Sequence, residues 1–143
     1  MLVTDGQGLP LGVLLESANK AEVSLVQATL ETVKVRTPKG RMCTWLNYLT
    51  ADKGYDSRKF RKYLRGRRMG HCISPIRHQG RFRRHRLPTY DATRYALRWI
   101  IKRSNAWLQN YRRILVRYDH LLSTYRGFVL LACRIISLGA LLK

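Results

Sequence analysis

Acidic side chains are what this sequence has least of. Its 143 residues hold only 8 Asp and Glu against 28 Lys and Arg, a formal net charge of +20. No glutamate follows Glu31, so any acid-dependent chemistry in the last three quarters of the chain rests on aspartate alone. Cysteine is also sparse. Cys43, Cys72 and Cys133 are odd in number and widely spaced, which excludes a disulfide framework and makes a reducing cytoplasm the simplest compartment. No charge-free apolar run reaches 18 residues, so a standard transmembrane helix is not expected. The longest apolar stretch, Gly127 to Leu142, is broken by Arg134. The first residues lack a basic segment and contain Asp5, so they do not read as a signal peptide. Hydrophobic residues make up 45%, too many for wholesale disorder.

The positive charge is unevenly placed. Residues 1–51 carry 5 basic and 4 acidic side chains, whereas Lys53 to Arg86 carry 13 basic side chains and one acid, Asp56. Such density repels itself unless a polyanion is near. Arginine supplies 20 of the 28 cations, and its planar fork suits phosphate. Nucleic acid is therefore the leading partner class. Lys53, Arg58, Lys59, Arg61, Lys62, Arg81, Arg83, Arg84 and Arg86 are the candidate DNA-contacting residues.

The pattern along the chain is α/β. Leu2 to Thr4 and Leu9 to Leu15 flank the turn Asp5-Gly6-Gln7-Gly8 and predict a β-hairpin. Ala21 to Val33 spread apolar residues over one broad helical face, with Asn19 as the expected cap. Lys34 to Arg41 reads as a basic loop, and Met42 to Ala51 as one buried strand. A helix capped by Asp56 or Ser57 follows, with Phe60 and Leu64 as a thin apolar stripe and Gly70 as its stop. His71 to Ile76 predicts a short strand, and Gln79 to Asp91 a basic loop. A long helix is expected from about Ala92 to about Asp119, and a final one over Leu121 to Leu142. Trp99 and Trp107 lie near one face of the long helix, where packing against a sheet is the expected role. His71, Cys72, His78 and His85 lack the pair spacing of a zinc site.

Asp52 stands out among the acids. It ends an apolar strand, where open α/β sheets place ligands, and it precedes the most basic part of the chain. A carboxylate in a phosphate-binding region is a candidate Mg²⁺ ligand. On residue type alone, a turn-forming Asp ahead of Gly54 is the better explanation.

The segments LVTDGQGLPLGVLLESAN, ADKGYDSRKFRKYL and RYALRWIIKRSNAWLQNYRRILVRYD, in that order, resemble bacterial insertion-sequence transposases of the DDE type, nearest to the insertion-sequence five group and its relatives. The resemblance covers essentially the whole chain. It implies an RNase H-like fold and a triad of acids binding divalent metal, Mg²⁺, for DNA strand cleavage and joining. Asp52 matches the family's second acid. The family's signature helix, Tyr-x2-Arg-x3-Glu-x6-Lys, is matched by Tyr95 and Arg98, but Lys102 stands at the Glu position and Gln109 at the closing Lys. The family's first Asp has no counterpart, since the chain opens at the hairpin that follows it. The resemblance thus leads us to expect residues 1–143 to be the C-terminal part of a catalytic domain: a partial mixed sheet without its first strand, flanking helices, and two C-terminal helices.

Two-metal chemistry needs carboxylates on ions roughly 3.5–4 Å apart. A Lys102 ammonium would oppose a divalent ion instead of binding it, by several kcal/mol at about 4 Å and intermediate dielectric. The chain is therefore expected to be catalytically incomplete alone. The implied partner is double-stranded DNA at insertion-sequence ends, together with an upstream transposase segment. The implied location is cytoplasmic and nucleoid-associated, with no membrane partner. The alternative is a stand-alone basic nucleic-acid-binding module without catalysis. A third reading, a cationic membrane-surface protein, would use the last helix.

Overall fold

The computed structural model describes residues 1–17, 19–44, 46–75 and 91–142. The chain forms two compact units, one of Met1–Thr44 with Trp99–Lys143 and the other of Trp45–Arg98. The fold is mixed α/β, with small sheets and several helices. The expected single mixed sheet is not seen among the described residues, whose strands form three separate two-stranded ladders.

In the first unit, β1 (Leu2–Thr4) pairs antiparallel with β2 (Pro10–Val13), as the turn sequence predicts. Asp5 Oδ1 accepts from the backbone N–H groups of Gln7 and Leu9 and closes the turn. Gly8 takes a positive φ of 90° there, a conformation open to glycine without strain. β2 carries Gly12 against α1 (Glu22–Glu31) and the residues just after it. A Cβ at Gly12 would lie 2.6 Å from Thr32 Oγ1, so only glycine permits this approach. The α1 cap is Ala21, with no side-chain hydrogen bond, in place of the expected Asn19.

The basic loop at 34–41 is a small hairpin. Its strands are β3 (Val35–Arg36) and β4 (Met42–Cys43). Met42 to Ala51 is accordingly not one strand. It divides into β4 and β5 (Tyr48–Ala51), and β5 is only half-buried.

The long helix is likewise three pieces: α3 (Ala92–Ala96), α4 (Trp99–Gln109) and α5 (Arg112–Leu115). In the first unit, α4 meets α5, β1 and α6 (Leu122–Leu141), α5 meets α6, and α6 meets β2. Val13, Leu108, Val129, Ala132 and Cys133 form their shared core. Ser104 donates to the Gly8 carbonyl at 2.7 Å, and Arg103 to that of Gln7 at 2.6 Å, so α4 grips the hairpin turn. Trp99 and Trp107 share one arginine. The Arg103 guanidinium sits over both rings, 4.9 Å from each centroid, and Trp99 stays half exposed.

In the second unit, β5 leads through a 3₁₀ turn (Lys53–Tyr55) and α2 (Arg58–Gly66) to β6 (Gly70–Ile73), which returns parallel to β5. A parallel return requires such a crossover. Ser57 caps α2 by accepting from the Phe60 N–H. Phe60 and Leu64, at i and i+4, are almost fully buried, as their spacing requires.

The stop of α2 differs from expectation. Arg68 adopts a left-handed φ of 53°, and the N–H groups of Arg68 and Met69 return to the carbonyls of Arg65 and Leu64. Buried Met69 and Leu64 complete this helix-ending motif, so Gly70 is free to begin β6. An L-residue in the left-handed region costs roughly 1–2 kcal/mol. Arg68→Gly should therefore stabilise the unit by about 1 kcal/mol, and Leu64→Ala should destabilise it by about 2–5 kcal/mol, in urea unfolding followed by circular dichroism.

Candidate functional site

Asp52 follows Ala51, the last residue of β5, at the carboxyl end of the parallel pair. This is where the sequence places it. Its backbone is extended, which lets its side chain cap the 3₁₀ turn. Three donors converge on Oδ1: the Lys53 backbone N–H at 2.7 Å, the Tyr95 hydroxyl at 2.9 Å and an Arg98 guanidinium N–H at 3.3 Å. Tyr95 and Arg98, the two residues of the expected signature, are thus both bonded to Asp52, over 43 and 46 residues of sequence. Arg98 also lies over the Tyr95 ring, 4.8 Å from its centroid.

Two further contacts hold α3 on the strands. The Arg94 guanidinium covers the Tyr48 ring at 4.3 Å, and Cys72 Sγ donates to the Asp91 carbonyl at 3.3 Å. Asp91 itself caps α3 and pairs with Arg94.

These donors favour the ionised carboxylate. The Lys53 N–H contributes most, then the Tyr95 hydroxyl. Partial desolvation opposes them, and the Arg98 and Lys53 charges assist, so Asp52 is held below the usual carboxylate range. The carboxylate is half exposed and can meet a ligand.

The described residues do not assemble a metal centre. No group of three or more His, Cys, Asp or Glu side chains occurs among them. Asp52 supplies one carboxylate, and a guanidinium already rests against it. Lys102 and Gln109 are exposed on α4, in the other unit. His71 and Cys72 belong to β6, whereas His78 and His85 lie outside the described residues.

The candidate phosphate contacts divide into three sets. Lys53, Arg58, Lys59 and Lys62 are exposed around the start and outer face of α2. Arg61 is not available to a phosphate. It pairs with Asp56 at 2.7 Å, donates to the Ile73 carbonyl at 3.0 Å and is nearly buried. Arg81, Arg83, Arg84 and Arg86 lie outside the described residues. Arg65 joins the outer face at i+7 from Arg58 and i+3 from Lys62, which the helical period of the sequence could have shown.

Residues 1–136 match the protein family described as the Transposase DDE domain. A curated protein of Burkholderia cepacia, provisionally named the transposase for insertion sequence element IS402, is 27% identical over 136 residues. That alignment covers 94% of this chain and 60% of the relative, so the chain spans about three fifths of that relative's length. No solved structure matches the chain significantly.

The carboxylate knot has a measurable consequence. Its folded pKa is depressed, so its contribution to stability is present above the unfolded pKa and is lost as pH falls through the folded value. Tyr95→Phe should raise the Asp52 pKa toward its ordinary value, read from the carboxyl carbon shift in NMR. Arg98→Gln should raise it by less. An unchanged Asp52 titration in Tyr95→Phe would contradict the hydrogen bond.

Proposed function

The chain belongs to the Transposase DDE domain family, and on that footing we propose that it is part of the catalytic domain of a bacterial insertion-sequence transposase, of the insertion-sequence five group or a relative of it. The observation that carries the reading is Asp52 at the end of a parallel strand, bonded to both Tyr95 and Arg98. Chance would seldom bring the family's second acid and two signature residues onto one oxygen atom. The reading assigns residues 1–143 to the C-terminal part of an RNase H-like domain, with β5, α2 and β6 as a parallel segment of its sheet. The partner is double-stranded DNA at the ends of the element, which puts its action at the nucleoid.

The chain's own residues have distinct roles in this reading. Lys53, Arg58, Lys59, Lys62 and Arg65 bind phosphates through exposed cations beside the site. Tyr95 and Arg98 orient the Asp52 carboxylate and keep it ionised. Mg²⁺ is the family's metal and would supply Lewis-acid chemistry. The one carboxylate of the described site is too few for it. Lys102 at the Glu position accords with a chain that binds DNA without cleaving it. A stand-alone binding module shares that behaviour but gives no reason for the Asp52–Tyr95–Arg98 arrangement.

Mobility-shift titration of duplex DNA tests the binding. Each neutralised phosphate contributes about −0.9 to the slope of log affinity against log salt, so the five exposed cations should give about −4 to −5. Reversing two of them, Lys62→Glu with Arg65→Glu, should weaken binding at least tenfold, as estimated from the loss and reversal of two phosphate contacts. Affinity unchanged by salt would contradict the electrostatic role. End-cleavage assays in Mg²⁺ or Mn²⁺ should show no product from the 143-residue chain. Metal-dependent cleavage abolished by Asp52→Ala would show that another acid, such as Asp91 or Asp119, completes the set.

A further inference from the structure

We propose that the β3–β4 hairpin is a DNA-reading ribbon that enters the major groove of a duplex. Lys34, Arg36, Lys39 and Arg41 place four cations within residues 34–41, with no acid among them. All four residues are exposed, and no ion pair among the described residues involves any of them. The apolar residues of the two strands are exposed as well, Val35 at 38% and Met42 at 57%. Packing within the chain therefore explains neither the charge nor the apolar content of these strands. Burial fixes only the root, through Val33 just ahead of β3.

The hairpin is nevertheless built to hold one shape. Its tip, Pro38-Lys39-Gly40, is a three-residue loop that ends in a left-handed residue, Gly40 at a φ of 77°. Pro38 presets the backbone at the first loop position. The Thr37 N–H donates to the Arg41 carbonyl at 2.8 Å, the Thr37 hydroxyl donates to the same oxygen at 3.1 Å, and the Gly40 N–H donates to the Thr37 carbonyl at 2.8 Å. A two-stranded hairpin alone is marginally stable, so these local bonds do what a core does not. A ribbon ordered before it binds loses less entropy on binding. The register sets Arg36 opposite Met42, so a fork of donors and a flexible thioether share one face. Lys34, Lys39 and Arg41 stand at the entry, the tip and the return of the ribbon.

Charge calls for a polyanion, and shape selects DNA. A two-stranded ribbon fits the major groove of B-form DNA, about 12 Å wide, whereas the undistorted minor groove is about 6 Å wide. Base edges in the major groove offer guanine acceptors that suit Arg36 and thymine methyl groups that suit Met42. Lys34, Lys39 and Arg41, at the margins of the ribbon, take phosphates of the groove walls. Duplex RNA fits poorly, because its major groove is too deep and narrow for side chains to read. The proposal shares its partner with the function proposed above and rests on that reading, but it uses a different set of cations from those of α2.

Photocross-linking of the whole 143-residue chain to a mixed-sequence DNA duplex carrying 5-bromouracil tests the placement. The bromine replaces the thymine methyl on the major-groove edge. Cross-linked peptides covering residues 34–43 should be recovered, with Met42 as an attachment point. Lys34→Gln with Lys39→Gln and Arg41→Gln should lower the salt slope of mobility-shift titrations by about 2 to 3, at ~0.9 per lost phosphate contact. All three positions are exposed, so the circular dichroism spectrum should not change. The triple variant should bind duplex RNA as the wild type does, since the ribbon does not enter that groove. Wild-type DNA binding by the triple variant, or cross-links confined to other segments, would overturn the ribbon and leave the α2 cations in place. Equal losses on DNA and RNA would make the hairpin a general phosphate contact and overturn the groove insertion. Loss of poly-glutamate binding with undiminished DNA binding would assign the hairpin to an acidic protein instead. A wild-type chain that binds no DNA at all would overturn this proposal and the proposed function together.

Discussion

One carboxylate oxygen carries the structural argument. Asp52 Oδ1 receives a backbone N–H, a phenol and a guanidinium. Each bond alone is modest in a half-exposed setting. Their joint effect is geometric: they fasten the carboxyl end of β5 to the segment containing Tyr95 and Arg98. The Arg94–Tyr48 stack and the Cys72–Asp91 bond hold α3 to the same strands, so the knot is supported rather than isolated. Without them, the acid and the signature residues would share a sequence pattern but no place.

The arginine excess is not a uniform coat. Several arginines are occupied within the fold. Arg61 is spent on Asp56 and the end of β6, Arg98 on Asp52, and Arg103 on the hairpin turn and two tryptophans. Arg113 and Arg117 lie over Phe128 and Tyr125. Guanidinium groups can take such roles because they stack and fork at once. The exposed cations of α2 remain as a separate set. A count of basic residues therefore overstates the cations exposed to a polyanion, and only placement separates the two uses.

The local elements were largely legible in the sequence. The β1–β2 hairpin follows from Asp5-Gly6-Gln7-Gly8, the buried stripe of α2 from Phe60 and Leu64, and α6 from its apolar run. Asp52 at a strand end was legible from the apolar run ahead of it and the glycine behind. The misreadings share a cause, which is that tertiary contact overrides local pattern. Met42 to Ala51 is largely apolar yet divides, because Met42 and Cys43 pair with Val35 and Arg36 instead. Gly70 looks like a helix stop, but the buried Leu64 and Met69 make the exposed Arg68 take the left-handed turn. The helical period around Arg98 continues in sequence, while its backbone breaks at Leu97 and Arg98. No local pattern signals that break, because its partner, Asp52, lies 46 residues away.

The central proposal is that Asp52 is one acid of a metal set that the described residues do not complete, held by Tyr95 and Arg98. Its most direct test is a Mn²⁺ titration of the chain, followed by paramagnetic broadening of the Asp52 carboxyl carbon. A lone carboxylate already engaged by a guanidinium should show no selective broadening until Mn²⁺ is in large excess, and Arg98→Gln should broaden earlier than the wild type. Selective saturable broadening of Asp52 and a second acid at low Mn²⁺ in the wild-type chain would contradict the account, because it would mean the site is complete.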